Sequence, residues 1–461
     1  MFARLKNKQN QMGMLSGSIW DKLVLFSVPL ALTNVLQQLF NTADVAVLGH
    51  YLGNEAMGAV GSLTAVISLF VALFGGLALG CNVVIAKYFG AQEPLRIVRA
   101  SQTAACMALV LGLVCLVCCY PVADHILILL SVPEDLLPLS KVYFEYYLLG
   151  LPAVAIYNFA AAMLRSQGDT TSPFISLAVA SLLNIVLNLF FTLHLHWGVA
   201  GVAMATSLAN GVSALILILM LMRRQVFGLS LIPRKLDRGE CAEMLRIGLP
   251  AAIQGMVFCF SNVLVQSAIN SLGPIAIAGS AAAFTIEINM YCLMSAFAQA
   301  ATTFVSQNYG ARNLARCLRV TRVTLALTLP LNLVMSLAII LAAPSLLGFF
   351  SQDPKVLDTA MVRIYLIVLP NVVTIFIDVL SGALRGYGCS LQPAVATLVA
   401  ICGIRVVWVF TVFKIWPDFT VLVASYPLSW LVTALFITFV YLRFRRVVLL
   451  HGHHVHPVRS H

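Results

Sequence analysis

The sequence predicts an all-α membrane protein, with about twelve transmembrane helices arranged as two six-helix lobes that are parallel repeats of each other. Three observations lead to this prediction. The composition is strongly apolar, long apolar runs recur from one end of the chain to the other, and the glycine, proline and arginine positions of the first half return in the second half. Together they exclude a soluble globular domain.

The apolar composition is the first observation. Of the 461 residues, 61% are hydrophobic and 10% are charged, and the mean hydropathy is +0.95, whereas roughly a quarter of the residues of a soluble domain are charged. The apolar runs are about 20–30 residues long, enough for a helix to cross a hydrocarbon core of roughly 30 Å. In chain order the predicted spans are Leu23–Leu48, Ala56–Ala86, Ile97–Val122, Leu139–Leu164, Phe174–Leu193, Gly198–Met222, Ala242–Leu272, Ile275–Val305, Val320–Leu346, Ala360–Leu384, Ala394–Phe413 and Thr420–Leu442.

The distribution of positive charge orients these spans. With both termini in the cytoplasm, 23 of the 28 Lys and Arg residues fall in inner segments, and Arg405 lies within a span. The outer segments keep only Lys141, Lys355, Arg363 and Lys414. This asymmetry predicts a multi-pass protein of the inner (plasma) membrane, and it explains the net charge of +11 without a nucleic-acid partner. No cleavable signal peptide is expected, because the first apolar run is of full spanning length.

The duplication divides the chain. Pro29 recurs as Pro250 and Gly90 as Gly310, and the offset between such pairs stays between 218 and 221 residues. Because each half holds an even number of spans, the repeats enter the membrane in the same direction. The predicted parts are an N-terminal lobe at 1–225, a cytoplasmic linker at 226–242, a C-terminal lobe at 243–446 and a cytoplasmic His-containing tail at 447–461.

Several short motifs stand in order along the helices, and two of them recur in the second half. They are Asn34–Asp44, Tyr88–Ala91 with its twin Gln307–Ala311, Leu164–Asp169 with its twin Leu384–Gly388, Asn184–Asn188 and Gly198–Thr206. Together these motifs resemble the multidrug and toxic compound extrusion (MATE) family, and most of all its DinF-type branch. The resemblance covers nearly the whole chain and implies a monomer that exports organic, often cationic, compounds by alternating access. It implies proton or sodium antiport, with H⁺ or Na⁺ as the coupling ion and no other cofactor.

The resemblance also implies a cation-coupling site in the N-terminal lobe. Its residues are Asp44, Asn184, Asn188 and Thr206, with Gln37 and Phe40 on the turns below Asp44. The family usually has a second Asp where Asn188 stands and often a Tyr where Phe40 stands. The alternative is that Asp44 is a hydrogen-bonded residue near the helix end and the asparagines only hold helices together. Proton coupling is favoured, because a dehydrated sodium ion prefers more oxygen charge than one carboxylate supplies.

Three further charges lie at membrane depth in the C-terminal lobe, namely Glu287, Asp378 and Arg405. A charge there requires a partner, a wet cavity or a role. We expect Arg405 to pair with Asp378, or alternatively with Glu287; participation in cation or substrate binding is the other interpretation. Under the repeat, Asp44 falls opposite Val265 and Arg405 opposite Ile185, so the charges are not duplicated with the fold. Phe258 stands where other branches of the family carry an acidic residue.

Aromatic and methionine side chains are candidates for a substrate cavity that adapts to different compounds. They are Phe40, Met256, Phe258, Met290 and Tyr291, with Phe260 and Met294 nearby. Ordinary packing inside the lobes is the alternative interpretation of the same residues.

No motif predicts an enzyme or a metal site. The chain has no phosphate-binding loop of the Gly-x-x-x-x-Gly-Lys type, and its odd number of cysteines, 11, lies mostly inside spans. The expected partners are small organic substrates and the lipid bilayer. The alternative function is that of a flippase for lipids or lipid-linked oligosaccharides, which shares the twelve-helix ancestry; such a protein tends to line its cavity with several basic residues.

Overall fold

The computed structural model describes residues 13–130, 132–229 and 236–450, and the regular structure in these ranges is entirely helical. Ten of its helices are long and apolar enough to cross a membrane, and two further pairs of shorter helices, bent by 46° and 45°, reach that length together. If each bent pair crosses once, the described residues form twelve spans, as the sequence predicts.

The bounds of the helices follow the predicted spans closely. The α-helices are α1 (Trp20–Val47), α2 (Asn54–Ala91), α3 (Pro94–Cys119), α4 (Ala123–Leu129), α5 (Leu137–Leu149), α6 (Leu151–Ser166), α7 (Thr171–Leu189), α8 (Gly198–Arg223), α9 (Arg238–Asn270), α10 (Pro274–Gly310), α11 (Leu314–Gly348), α12 (Pro354–Val368), α13 (Val372–Gly386), α14 (Leu391–Thr397), α15 (Ile404–Phe410), α16 (Val412–Ile415) and α17 (Phe419–Leu450). Single π-helical turns occupy Leu48–Leu52, Phe190–His194 and Leu398–Gly403.

The two bent spans lie at equivalent places in the repeat. Helix α5 meets α6 at a bend of 46° beside Pro152, and α12 meets α13 at a bend of 45° beside Pro370. A proline ring lacks the N–H that a continuous helix needs and clashes with the preceding turn, so each bend has a local cause in the sequence. The duplication therefore extends to the backbone geometry.

The chain divides into two compact units. Among the described residues, one unit comprises residues 13–16 and the part of the chain within Leu25–Met256, and the other comprises Gly17–Val24 and residues 257–450. The division falls inside α9, within the predicted C-terminal lobe. The predicted lobe boundaries stay a prediction, and residues 230–235 of the linker and 451–461 of the tail lie outside the described residues.

Within the first unit, small residues let α2 and the first half of α9 meet at backbone distance. A Cβ added to Gly76 would lie 2.3 Å from the Cα of Ala252, and one added to Gly80 would lie 2.2 Å from the carbonyl oxygen of Met244. Such close approach is typical of helices that pack in a membrane. It brings the end of α2 beside the start of α9, where the Tyr88 hydroxyl donates to Glu240 at 2.8 Å.

Candidate functional site

The centre of the candidate site is Asp44, in the last turn of α1. Its side chain is buried, with 4% exposure, and it accepts two short hydrogen bonds from other helices. Asn188 Nδ2 of α7 donates to Oδ1 at 2.6 Å, and Thr206 Oγ1 of α8 donates to Oδ2 at 2.7 Å. Three helices therefore converge on one carboxyl group.

Asn184 completes this network. It lies one turn before Asn188 on α7, donates its Nδ2 to Thr206 Oγ1 at 3.3 Å, and accepts from Asn188 Nδ2 at 3.2 Å. The Thr206 hydroxyl also lies 3.0 Å from the carbonyl oxygen of Val202, so its single proton serves one acceptor at a time. Asp44, Asn184, Asn188 and Thr206 thus form one connected cluster, and the structure brings these four predicted residues together.

The connection between α7 and α8 explains why these side chains share one depth. Asn188 stands at the end of α7 and Thr206 in the third turn of α8. Between them lie the π-helical turn Phe190–His194 and a tight reversal in which Gly198 has φ +57°. Glycine adopts this conformation without strain. The two helices run antiparallel from this reversal, so polar residues equally far from it face each other.

The hydrogen-bond partners of Asp44 among the described residues are all neutral. Among the described residues no Lys or Arg forms an ion pair with it, and each of its hydrogen bonds comes from an amide or a hydroxyl. Asn188 Oδ1 is buried and has no partner within the described ranges. The cluster therefore presents a carboxyl group and a spare acceptor with no fixed positive charge, which suits a proton or a small cation.

Sequence reasoning missed two tyrosines beside this cluster. Tyr143 and Tyr147 lie one turn apart on α5, both are buried, and their rings stack with centroids 6.4 Å apart. Each phenol is close enough to Asp44 to interact with it electrostatically. Their only signal in the sequence is the spacing of four residues on one apolar helix, which is also typical of ordinary packing.

Phe40 and Gln37, the other two residues predicted for this site, lie outside the hydrogen-bonded cluster. Phe40 is buried, with 7% exposure, and packs against Ala180 and Ala209, so it lies among the same helices as Asp44. Gln37 is exposed and makes no hydrogen bond to Asp44. The structure does not bring Gln37 into the cluster.

In the second unit, the charges pair differently from the expectation. Glu287 of α10 accepts from Arg363 of α12 through both carboxylate oxygens, at 3.0 Å from Nε and 2.9 Å from Nη2. Arg363 Nη1 donates to Ser280 Oγ at 2.7 Å. The assignment of Arg363 to an outer segment is therefore wrong. Helix α12 begins at Pro354, so it carries Arg363 about 13 Å into the span, where the side chain is 3% exposed.

Arg405 has no carboxylate partner among the described residues. This α15 residue is 1% exposed, and its Nη1 donates to Asn262 Oδ1 at 3.1 Å while Nε reaches Ser429 Oγ at 3.4 Å. Its guanidinium lies over the Tyr426 ring at 4.1 Å and near the Phe258 ring at 5.6 Å. The expected pairing of Arg405 with Asp378 is wrong, and so is the alternative pairing with Glu287.

Asp378 lies elsewhere in the same unit, on α13. It interacts electrostatically with Arg385, two turns further along that helix, and with Tyr291 of α10. Its Oδ2 is buried without a hydrogen-bond partner in the described part of the chain. Among the described residues, the three predicted charges of the C-terminal lobe thus form no ion pair with one another.

The candidates for a substrate cavity do not share one environment either. Met290 and Met294 are buried, each with 2% exposure, and pack in apolar clusters of the second unit. Tyr291 and Phe260 are exposed by 45% and 61%. Phe258 contacts Arg405 as described above, whereas Met256 is partly buried at the end of the first unit.

Known proteins share this architecture. A family model described as MatE matches residues 29–190 and again residues 250–411. The probable multidrug resistance protein NorM of Thermotoga maritima is 28% identical, over 86% of this chain and 86% of its own length. DNA damage-inducible protein F of Escherichia coli is 26% identical, over 82% of this chain and 83% of its own length. Among solved structures, a crystal structure of MATE in complex with MaL6 has a TM-score of 0.87 at 22% identity, covering 95% of this chain and 99% of that chain.

Proposed function

Because this chain belongs to the MATE family of multidrug efflux transporters, we propose that it exports small organic compounds, often cationic ones, by antiport of a cation through alternating access. The protein acts as a monomer in the inner membrane, with both termini in the cytoplasm. The double match of the family model supports the two-lobe organisation on which alternating access depends.

The observation that carries this proposal is the isolation of Asp44 from fixed positive charge. A carboxylate in a membrane lobe is costly unless it is neutralised. Since amides and hydroxyls are the groups that bond to Asp44, neutralisation must come from an exchangeable cation. A site that loads and empties in this way couples the downhill entry of the cation to the uphill exit of a substrate.

The geometry favours a proton over sodium. Asn188 turns its Nδ2 toward Asp44 at 2.6 Å, and an N–H group pointed at the carboxylate repels a metal ion that would bind there. Sodium binding would require this amide to rotate and would still find only one carboxylate. When Asp44 holds a proton it becomes a donor, and Asn188 Oδ1, which has no partner among the described residues, offers the acceptor after rotation of the amide.

Accumulation of ethidium in a bacterium that lacks its own efflux pumps tests the export function. Expression of the chain should lower accumulation, and dissipating the proton gradient should restore it. Unchanged accumulation over a broad panel of organic cations would contradict export and favour the flippase alternative. A flippase of this kind tends to line its cavity with several basic residues. The ion pair with Glu287 already occupies Arg363, one of the few buried basic residues, and therefore weighs against a flippase.

The proposed topology has its own test. The variant Ser230→Cys, at a position outside the described residues, should react with an impermeant thiol reagent only after the membrane is permeabilised. The labelling of the parent chain is the background against which this reaction is measured. Labelling in intact spheroplasts would overturn the orientation.

A further inference from the structure

A second polar cluster of the molecule has an unbalanced charge. It consists of Glu287, Arg363 and Arg405, and the two arginines lie over the same ring, that of Tyr426, at 5.6 Å and 4.1 Å from its centroid. Two guanidinium groups and one carboxylate leave one positive charge in a buried region of the second unit. Burying an unbalanced charge is costly in a medium of low dielectric constant.

The unbalanced charge belongs to Arg405. Arg363 directs Nε and Nη2 to Glu287 and Nη1 to Ser280, so each of its nitrogens has an acceptor. Arg405 has neutral acceptors for Nε and Nη1, and no described residue accepts a hydrogen bond from its Nη2. A guanidinium carries five N–H donors, so several of those on Arg405 remain available to a ligand.

The internal repeat relates this cluster to the Asp44 site. The family model matches residues 29–190 and 250–411, and the offset between repeated positions stays between 218 and 221 residues. At an offset of 220 residues, which relates Pro173 to Pro393 at the start of the same helices, Arg405 corresponds to Ile185, the residue after Asn184 of the Asp44 cluster. At the same offset Arg363 corresponds to Tyr143 and Tyr426 to Thr206. Corresponding helices of the repeat therefore hold an acidic site in one lobe and a basic site in the other.

We propose that Arg405 is the centre of an anion-binding site in the C-terminal lobe. The site binds a singly charged anion, either a halide ion or the carboxylate group of an organic compound. The unused Nη2 donors form the hydrogen bonds to this anion, and Tyr426 and Phe258 hold the plane of the guanidinium. One negative charge balances the cluster, so a singly charged ligand fits better than a doubly charged one. This site does not depend on the cation-coupled export proposed above.

The melting temperature of the full-length protein in detergent tests this site. The sodium concentration and ionic strength stay constant while sodium isethionate, a bulky sulfonate, is replaced stepwise by sodium chloride or sodium benzoate. Because a ligand that binds the native state stabilises it, the melting temperature should rise by about 2 °C or more with at least one of the two anions. A rise with chloride indicates a halide, and a rise with benzoate alone indicates a carboxylate. Identical melting temperatures in all three salts would overturn the proposal.

The variant Asn262→Asp locates the effect. It places a carboxylate where Asn262 Oδ1 now lies, 3.1 Å from Arg405 Nη1, so an internal negative charge replaces the ligand. Its melting temperature in isethionate should rise toward that of the wild type in the stabilising salt, and the dependence on the added anion should disappear. The matched control is Asn270→Asp, an exposed position two turns further along α9, which should keep the wild-type dependence. Full retention of that dependence in Asn262→Asp would show that the anion does not bind at Arg405.

Discussion

The buried polar clusters of the two lobes lie on helices that the internal repeat relates, yet one cluster is acidic and the other is basic. In the N-terminal lobe, Asp44 lies among neutral donors, with Tyr143 and Tyr147 beside it. In the C-terminal lobe, Arg405 lies over aromatic rings beside the Glu287–Arg363 ion pair. The backbone bends of the two lobes agree within a degree, at 46° and 45°. Duplication has thus kept the helices alike, while the side chains that meet inside each lobe make one buried cluster acidic and the other basic.

The largest effect is expected from breaking the ion pair of the C-terminal lobe. Glu287→Gln removes the one carboxylate bonded to Arg363 and leaves two buried guanidinium groups without a counter-charge. Breaking such a pair from one side costs about 3–5 kcal/mol of stability, so the melting temperature should fall strongly. The double variant Glu287→Gln with Arg363→Met removes both charges and should lose less. Equal losses in the single and double variants would show that the pair is not the source of the stability.

An intermediate effect is expected from giving the N-terminal lobe a second carboxylate. Asn188→Asp places a second carboxyl group beside Asp44, at the position from which Asn188 Nδ2 now donates to Asp44 Oδ1 at 2.6 Å. Two carboxyl groups this close cannot both ionise without a cation between them. Transport by this variant should therefore depend on sodium more than transport by the wild type. Asn41→Asp adds the same charge at an exposed position one turn away on α1 and should not change the sodium dependence. If both variants respond to sodium alike, the cluster does not select the ion.

The smallest effect is expected at Gln37. Its side chain is exposed and is not bonded to Asp44, so Gln37→Ala should change stability by less than about 0.5 kcal/mol. The rate of ethidium export should also stay at the wild-type value. A clear loss of export with unchanged stability would mean that Gln37 enters the site in another state of the transport cycle.

The sequence predicted the fold and the Asp44 cluster better than it predicted the charge pairs. Apolar runs of spanning length and a repeated set of turns were sufficient for the spans, and the family resemblance is confirmed by the double match. The grouping of Asn184, Asn188 and Thr206 with Asp44 followed from the motifs on α1, α7 and α8. The partner of Glu287 could not be found in this way, because the polar start of α12 at Pro354 lies outside the apolar run and conceals how deeply Arg363 enters the lobe.

Tyr143 and Tyr147 were missed for a different reason. They carry no charge and stand about 100 residues from Asp44 in the chain, so no local pattern connects them to it. Their position follows only from the packing of α5 against α8, which is a property of the folded lobe. Proximity between distant uncharged residues is therefore the part of the site that sequence patterns predict least.

Transport by Asp44→Asn in reconstituted vesicles tests the central claim most directly, namely that the cation exchanged at Asp44 drives export. The substitution keeps the shape of the side chain and one of the two oxygens that accept hydrogen bonds, but removes the exchangeable charge. The new NH2 group can donate to Asn188 Oδ1 once that amide rotates. With a proton gradient imposed across the vesicle membrane, the wild type should accumulate ethidium against its concentration gradient. The variant should fold and bind ethidium but fail to accumulate it. Uphill accumulation by Asp44→Asn at the wild-type rate would contradict the claim and would place the coupling at another buried acid, with Asp378 the first to test.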